Sequence, residues 1–192
     1  MYRMYRGSRE FGVVAILIAT NIIIFLATYF LDNLFYFLAL KPSLVLVQPW
    51  TLVTSMFVHS GISHIFGNMV TLYFFGGFLS QLIGEKRLLF LYLLGGVLGN
   101  ILYVMLAPSY SVAVGASGAV FAVGGALAVM RPKVKVFIFP IPVPLPLWVA
   151  VVGGFFILSF FPNVAWQAHL GGLLYGLVWG YLFRRRERRS IY

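Results

Sequence analysis

The residues of this chain best suited to chemistry are one serine, three histidines and one asparagine. Ser117 sits in Gly115-Ala116-Ser117-Gly118, where a loop gives way to an apolar run. Glycine on both sides allows a tight turn and a close approach of backbone to a ligand. A serine that opens a helix has unpaired backbone N–H groups beside it and the positive end of the helix dipole behind it. That setting suits a nucleophile whose attack creates an oxyanion, although an N-cap serine with glycine packing would be written with the same letters. His169 is the candidate base, because a neutral imidazole can take the serine proton and later return it to a leaving amine. Gly172 and Gly176 follow it in a small-xxx-small pattern that admits a neighbouring helix. His64 and Asn68 are four residues apart and so share one helix face. Both can donate hydrogen bonds, and with the Ser117 N–H they would make an oxyanion hole.

A metal site is the competing use of His59, His64 and His169. Catalytic zinc generally takes three protein ligands. The chain has no His-Glu-x-x-His and no cysteine, and its carboxylates are Glu10, Asp32, Glu85 and Glu187, none at the depth of these histidines. Neither a metal nor any other cofactor is expected.

The elements that must position these residues are membrane helices. Of 192 residues, 61% are hydrophobic and 9% charged, against roughly 25% charged in soluble domains. Mean hydropathy is +0.97. The net charge of +10 sits in short clusters between apolar runs, with no basic, aromatic-interleaved face. This is the writing of membrane topology and not of nucleic-acid binding. Spans are expected at about Phe11–Leu31, Ile65–Leu82, Leu88–Leu106, Ser117–Met130, Leu145–Phe160 and Gln167–Phe183. Helices are required because a lipid-exposed backbone must satisfy its own hydrogen bonds. The alternating pattern of a membrane barrel is absent. The expected fold class is all-α, a six-helix bundle over residues 11–183, with a cytoplasmic segment at 1–10 and a basic cytoplasmic tail at 184–192. No small-residue cleavage site follows the first apolar run, so that span is expected to be retained.

Thirteen of the fourteen Lys and Arg residues fall at the termini, between spans two and three, or between spans four and five; Lys41 is the exception. The positive-inside rule makes that face cytoplasmic and predicts a multi-pass protein of the cell membrane with both termini inside. Asp32–Ser60, a polar and aromatic loop, then faces outward with Pro108–Gly115 and Phe161–Trp166. Ser117 stands fourteen residues before Arg131, and His169 fifteen before Arg184. These are about 21 Å and about 22 Å of helix, against a hydrocarbon core of about 30 Å. The two counts put serine and histidine at nearly one depth, roughly 10 Å below the outer surface. His64 and Asn68 lie at or above that level. Ionisable residues at such depth usually face a bundle interior or a wet cavity, while plain interhelical hydrogen bonding is the ordinary alternative. No convincing internal repeat and no charged pathway support a transporter or channel. Gly153, Gly154, Phe155 and Phe156 would let the fifth span tilt as a lateral gate for substrate.

Taken together, these motifs resemble the rhomboid family of intramembrane serine proteases. The resemblance runs from about Trp50 to Gly176. It rests on His59-Ser-Gly-Ile-Ser-His64 with Asn68, on Gly115-Ala-Ser117-Gly118-Ala, and on Ala168-His169-Leu-Gly-Gly172 with Gly176; Gly84, Tyr92, Gly95 and Gly99 also fit. It implies a Ser117–His169 dyad without a catalytic aspartate, an oxyanion hole from His64, Asn68 and the Ser117 backbone, and Phe121 where the family often packs a tyrosine on the base. It also implies single-pass membrane proteins as substrates and the lipid bilayer as surroundings. Gly115, Gly118, Gly172, Gly176, His59 and Trp50 would be packing or supporting residues. Two positions depart: the family's Trp-Arg reads Trp50-Thr51, and Ser80 replaces a common glutamate. A non-catalytic rhomboid-like binder or chaperone of membrane helices is the alternative, and the retention of both Ser117 and His169 weighs against it.

Overall fold

A computed structural model of the chain describes residues 12–137 and 142–189, without the side chains of Asp32, Arg188 and Arg189. The N-terminal segment 1–10 and the last three residues of the tail lie outside the described residues. The helices are α1 (Gly12–Phe30), α2 (Asp32–Leu38), α3 (Thr51–Thr54), α4 (Ile62–Thr71), α5 (Gly77–Ile83), α6 (Glu85–Leu106), α7 (Ser117–Met130), α8 (Leu147–Ser159) and α9 (Trp166–Arg189). A π-helical stretch, Leu72–Gly76, joins α4 and α5 into one rod. Among the described residues, Gly12–Phe30, Ile62–Ile83 and Glu85–Leu106 are long and apolar enough to cross a membrane. Helices α7 and α8 are apolar but shorter, with 14 and 13 residues.

Helix α7 is the centre of the bundle. A helix that is apolar all round belongs inside, and eleven of the 14 residues of α7 are buried. Its small residues let α9 come to backbone contact. A Cβ on Gly172 would collide with the Gly118 carbonyl oxygen, one on Gly176 with that of Ala122, and one on Gly180 would stand 2.6 Å from that of Ala126. Both series advance by four in the same direction, so α7 and α9 run parallel. From the third side, Gly99 of α6 meets the Ala168 carbonyl and Gly96 meets Met56.

The C-terminal ends of α7 and α9 are tied as well. Arg131 makes a two-pronged ion pair with Glu187, at 2.5 and 2.9 Å, and Arg184 donates to the Val129 carbonyl. The hydrogen bond from Arg131 holds the Glu187 carboxyl below the usual carboxylate range. The side chains are 30% and 41% exposed, and exposed pairs contribute only about 0–1 kcal/mol. Glycine packing therefore matters more than this clamp. Gly172→Val or Gly176→Val is expected to cost about 3 kcal/mol, the upper end for overpacking, because the obstacle is backbone and no rotamer relieves it. Gly153→Val is the control, since nothing lies within 4 Å of a Cβ there. Unfolding midpoints in detergent check this; equal midpoints for all three would contradict it.

Three regions differ from the sequence-based outline. The second rod begins at Ile62 instead of Ile65, which puts His64 within its first turn. The segment Asp32–Ser60, expected as an outward-facing loop, contains α2, α3 and two 3-10 turns, Pro42–Leu44 and Ser55–Phe57. Its polar backbone finds partners nearby: the Trp50 indole donates to Phe37 O and the Thr54 hydroxyl to Leu38 O. The fifth span expected from Leu145 starts at Leu147, because Leu145–Pro146 forms β2, paired antiparallel with β1 (Lys135–Val136). Proline has no N–H to give a ladder or a helix interior, so Pro146 ends the strand and precedes the first helical residue.

Candidate active site

Ser117 is the first residue of α7, after a turn that only glycine makes easily. Gly115 has φ +123°, and a Cβ there would lie 2.7 Å from His64 Nε2 and 3.6 Å from Ser117 Oγ. Glycine is thus needed both for the backbone conformation and for space. The turn is held from three directions. Gly115 N–H donates to Ser55 O at 2.9 Å, and Ala116 N–H points to His59 Nε2 at 3.4 Å. Upstream, Leu40 and Ala113 exchange backbone hydrogen bonds of 3.0 and 2.8 Å.

Across the helix interface, His169 Nε2 and Ser117 Oγ are 2.7 Å apart. His169 is 5% exposed. Its Nδ1 has no hydrogen-bond partner among the described residues, so no carboxylate orients the ring from behind. An aromatic ring packs on it instead. Phe121, one turn after Ser117, has its centroid 4.8 Å from that of His169 with planes tilted by 34°, and Phe155 of α8 meets Phe121 edge-on at 6.0 Å. Gly118 and Gly172 form the close crossing that lets the two polar side chains meet.

The remaining candidates divide into near and far. His64 comes to the Gly115 turn through Nε2, as the Gly115 distance records, while its Nδ1 meets Ser60 Oγ at 3.0 Å. His59 is buried and packs edge-on to His64 at 5.0 Å. Asn68 is buried one turn below His64 and gives one amide hydrogen to the His64 carbonyl, 2.9 Å away within its own helix. Trp50 is remote in role: it braces the Asp32–Ser60 segment against Phe37, ring centroids 5.0 Å apart. Thr51 and Ser80 each satisfy themselves locally, on Gln48 O and Gly77 O. Among the described residues, no three His, Cys, Asp or Glu side chains converge as a metal would require.

Two residues absent from the sequence-based set support the site. Asn100 of α6 donates to Leu52 O and to Ser55 Oγ, both at 2.9 Å. Ser55 in turn accepts the Gly115 N–H through its carbonyl. A buried asparagine in the middle of an apolar helix was the available signal, because an unpaired amide there is costly.

Comparison with known proteins gives a consistent picture. The family model of the Rhomboid domain matches residues 46–186. The provisionally named rhomboid protease YdcA of Bacillus subtilis (strain 168) is 30% identical over 145 residues, 73% of this chain and 70% of its own length. Rhomboid protease GlpG of Haemophilus influenzae is 28% identical over 146 residues, 75% of this chain and 74% of its own. RHOMBOID-like protein 2 of Arabidopsis thaliana is 33% identical over 141 residues, 73% of this chain but 44% of its own. The matched part spans most of the bacterial relatives and less than half of that plant protein.

Proposed function

Because this chain belongs to the rhomboid family, a membrane-embedded family with relatives named as proteases, we propose that it is an intramembrane serine endopeptidase. Its substrates are single-pass membrane proteins, cut within or near the outer part of the bilayer. The observation that carries the reading is the 2.7 Å approach of His169 Nε2 to Ser117 Oγ within a bundle of apolar helices. A half-buried serine hydroxyl and a buried imidazole have few structural uses that need both at that distance, and nucleophile activation is the chemical one.

In the proposed mechanism each of these side chains has one task. His169 Nε2 accepts the hydroxyl proton as Ser117 Oγ attacks the scissile carbonyl carbon. The carbonyl oxygen takes up the electron pair and is stabilised by the Ser117 backbone N–H, by His64 Nε2–H and by the Asn68 amide. His169 then protonates the leaving amine and the acyl-enzyme forms. Water, deprotonated by the same imidazole, hydrolyses the acyl-enzyme and frees Ser117. Phe121 keeps the imidazole in register, the duty that an aspartate performs in a triad. No residue of this scheme requires a metal or cofactor.

The proposed topology is six spans, with α7 and α8 as the short ones and α9 as the last. Ser117 then lies below the outer surface, and both termini are cytoplasmic. Since the chain has no cysteine, single cysteines test this cleanly. Ser109→Cys is expected to react with an impermeant thiol reagent on intact cells and Lys133→Cys is not. The reverse pattern would put the Ser117–His169 pair in the inner leaflet. The activity itself is tested by a fluorophosphonate probe: a covalent adduct on the peptide bearing Ser117, absent from Ser117→Ala, is the expected result. A folded wild-type protein that resists the probe and leaves membrane substrates intact would refute the reading.

A further inference from the structure

We propose that Ser60 is a positioning residue that fixes the tautomer of His64, so that Nε2 carries the proton and can serve the oxyanion. The inference rests on the reading of Ser117 as nucleophile, and it concerns a residue to which no role has so far been given. A neutral imidazole has one N–H, and the hydrogen bond made by one ring nitrogen sets the state of the other. His64 Nδ1 is 3.0 Å from Ser60 Oγ. The opposite nitrogen, Nε2, borders the Gly115 turn: the position of a Gly115 Cβ is 2.7 Å from His64 Nε2 and 3.6 Å from Ser117 Oγ. The ring is therefore addressed at both ends, by a hydroxyl behind and by the nucleophile's turn in front.

The direction of the Ser60 bond follows from what each arrangement would present to the reaction. A serine hydroxyl can donate or accept. If it donates to Nδ1, the proton lies on Nε2 and a donor faces the developing negative charge. If it accepts from Nδ1–H, Nε2 turns a lone pair toward that charge, which is repulsive. Only the first arrangement gives the histidine a part in catalysis. Serine just before a helix is commonly an N-cap, but here Gly61 occupies the cap position and no side chain caps the α4 N-terminus. The Ser60 hydroxyl goes to the His64 ring instead. His59 meets the same ring edge-on at 5.0 Å, so the imidazole is restrained in orientation while Ser60 selects its protonation pattern.

The test uses the full chain, 15N-labelled at histidine and held in lipid. With three histidines in the sequence, His64→Ala identifies the His64 resonances by their disappearance. The expected spectrum shows His64 protonated on Nε2 and bare on Nδ1. In Ser60→Ala a second tautomer appears, and kcat for a transmembrane substrate falls about 5- to 10-fold, the worth of one neutral hydrogen bond, with KM changed less than about 2-fold. Ser60→Thr keeps the hydroxyl and is expected to restore both spectrum and kcat. A purely structural serine would alter neither tautomer nor the split between kcat and KM. Wild-type His64 protonated on Nδ1 overturns the proposal, as does an unchanged spectrum in Ser60→Ala. Failure of the protease reading looks different: wild type would then escape fluorophosphonate, while the spectrum would still decide the Ser60–His64 pairing.

Discussion

Ser117→Ala is expected to abolish cleavage of a transmembrane substrate, lowering kcat by about 10⁴- to 10⁶-fold, while the protein stays folded. The two halves of that expectation have separate causes. Catalysis is lost because no other side chain can form the acyl bond at that position: the turn before α7 offers Gly115 and Ala116, and the helix continues with Gly118 and Ala119. The fold is kept because only a hydroxyl is removed. Its bond to His169 is one neutral hydrogen bond of net worth about 1 kcal/mol, small beside the α7–α9 crossing. His169→Ala is expected to be equally inactive but less stable. It empties the space beneath Phe121, and truncating a buried ring costs roughly 3 kcal/mol. Comparing cleavage with melting temperature for both variants separates chemistry from packing. Substantial hydrolysis by folded Ser117→Ala would exclude it as nucleophile.

Much of this site is readable along the chain because helical rise is constant. Counting back from Arg131 and from Arg184 reaches Ser117 and His169 at one depth without any tertiary knowledge. The glycine series on α7 and α9 further says that two backbones can touch. Neither count says which helices are neighbours or that they run parallel in contact, and the structure supplies the crossing of Gly172 with Gly118 and of Gly176 with Ala122. The segment Asp32–Ser60 was less legible. Helices α2 and α3 have 7 and 4 residues, too short to show a 3.6-residue period. They persist because Trp50, Thr54 and the Leu40–Ala113 bridge tie them to one another and to the turn before Ser117. The β1–β2 pair was hidden by Pro146 and by the prolines that precede it, Pro140, Pro142 and Pro144, since proline argues against strand everywhere except at an edge or end. The relay from Asn100 through Ser55 to Gly115 joins residues far apart in sequence, and no local pattern encodes it.

Two histidines approach the same serine, and small electrophiles should tell them apart. In the proposed mechanism His169 acts before any bond to substrate forms, taking the proton from Ser117 Oγ, 2.7 Å from its Nε2. His64, in the same proposal, acts once negative charge builds on the carbonyl oxygen. Loss of one oxyanion donor typically costs about 10² to 10³ in rate. His64→Ala is therefore expected to slow peptide cleavage by about that factor yet to leave measurable labelling of Ser117 by a small, highly reactive fluorophosphonate. Asn68→Ala is expected to act in the same direction and more mildly, because its amide is already shared with the His64 carbonyl and two donors remain. His169→Ala loses both cleavage and labelling. The double change His64→Ala with Asn68→Ala should cost less than the sum of the two singles, since donors that serve one oxyanion act as a unit. The measurement is the rate of probe incorporation beside kcat/KM for a transmembrane substrate, for each variant. Labelling that survives in His169→Ala and vanishes in His64→Ala would exchange the roles of the two histidines. The base would then be carried by α4, and the parallel crossing of α7 and α9 would lose the catalytic purpose assigned to it.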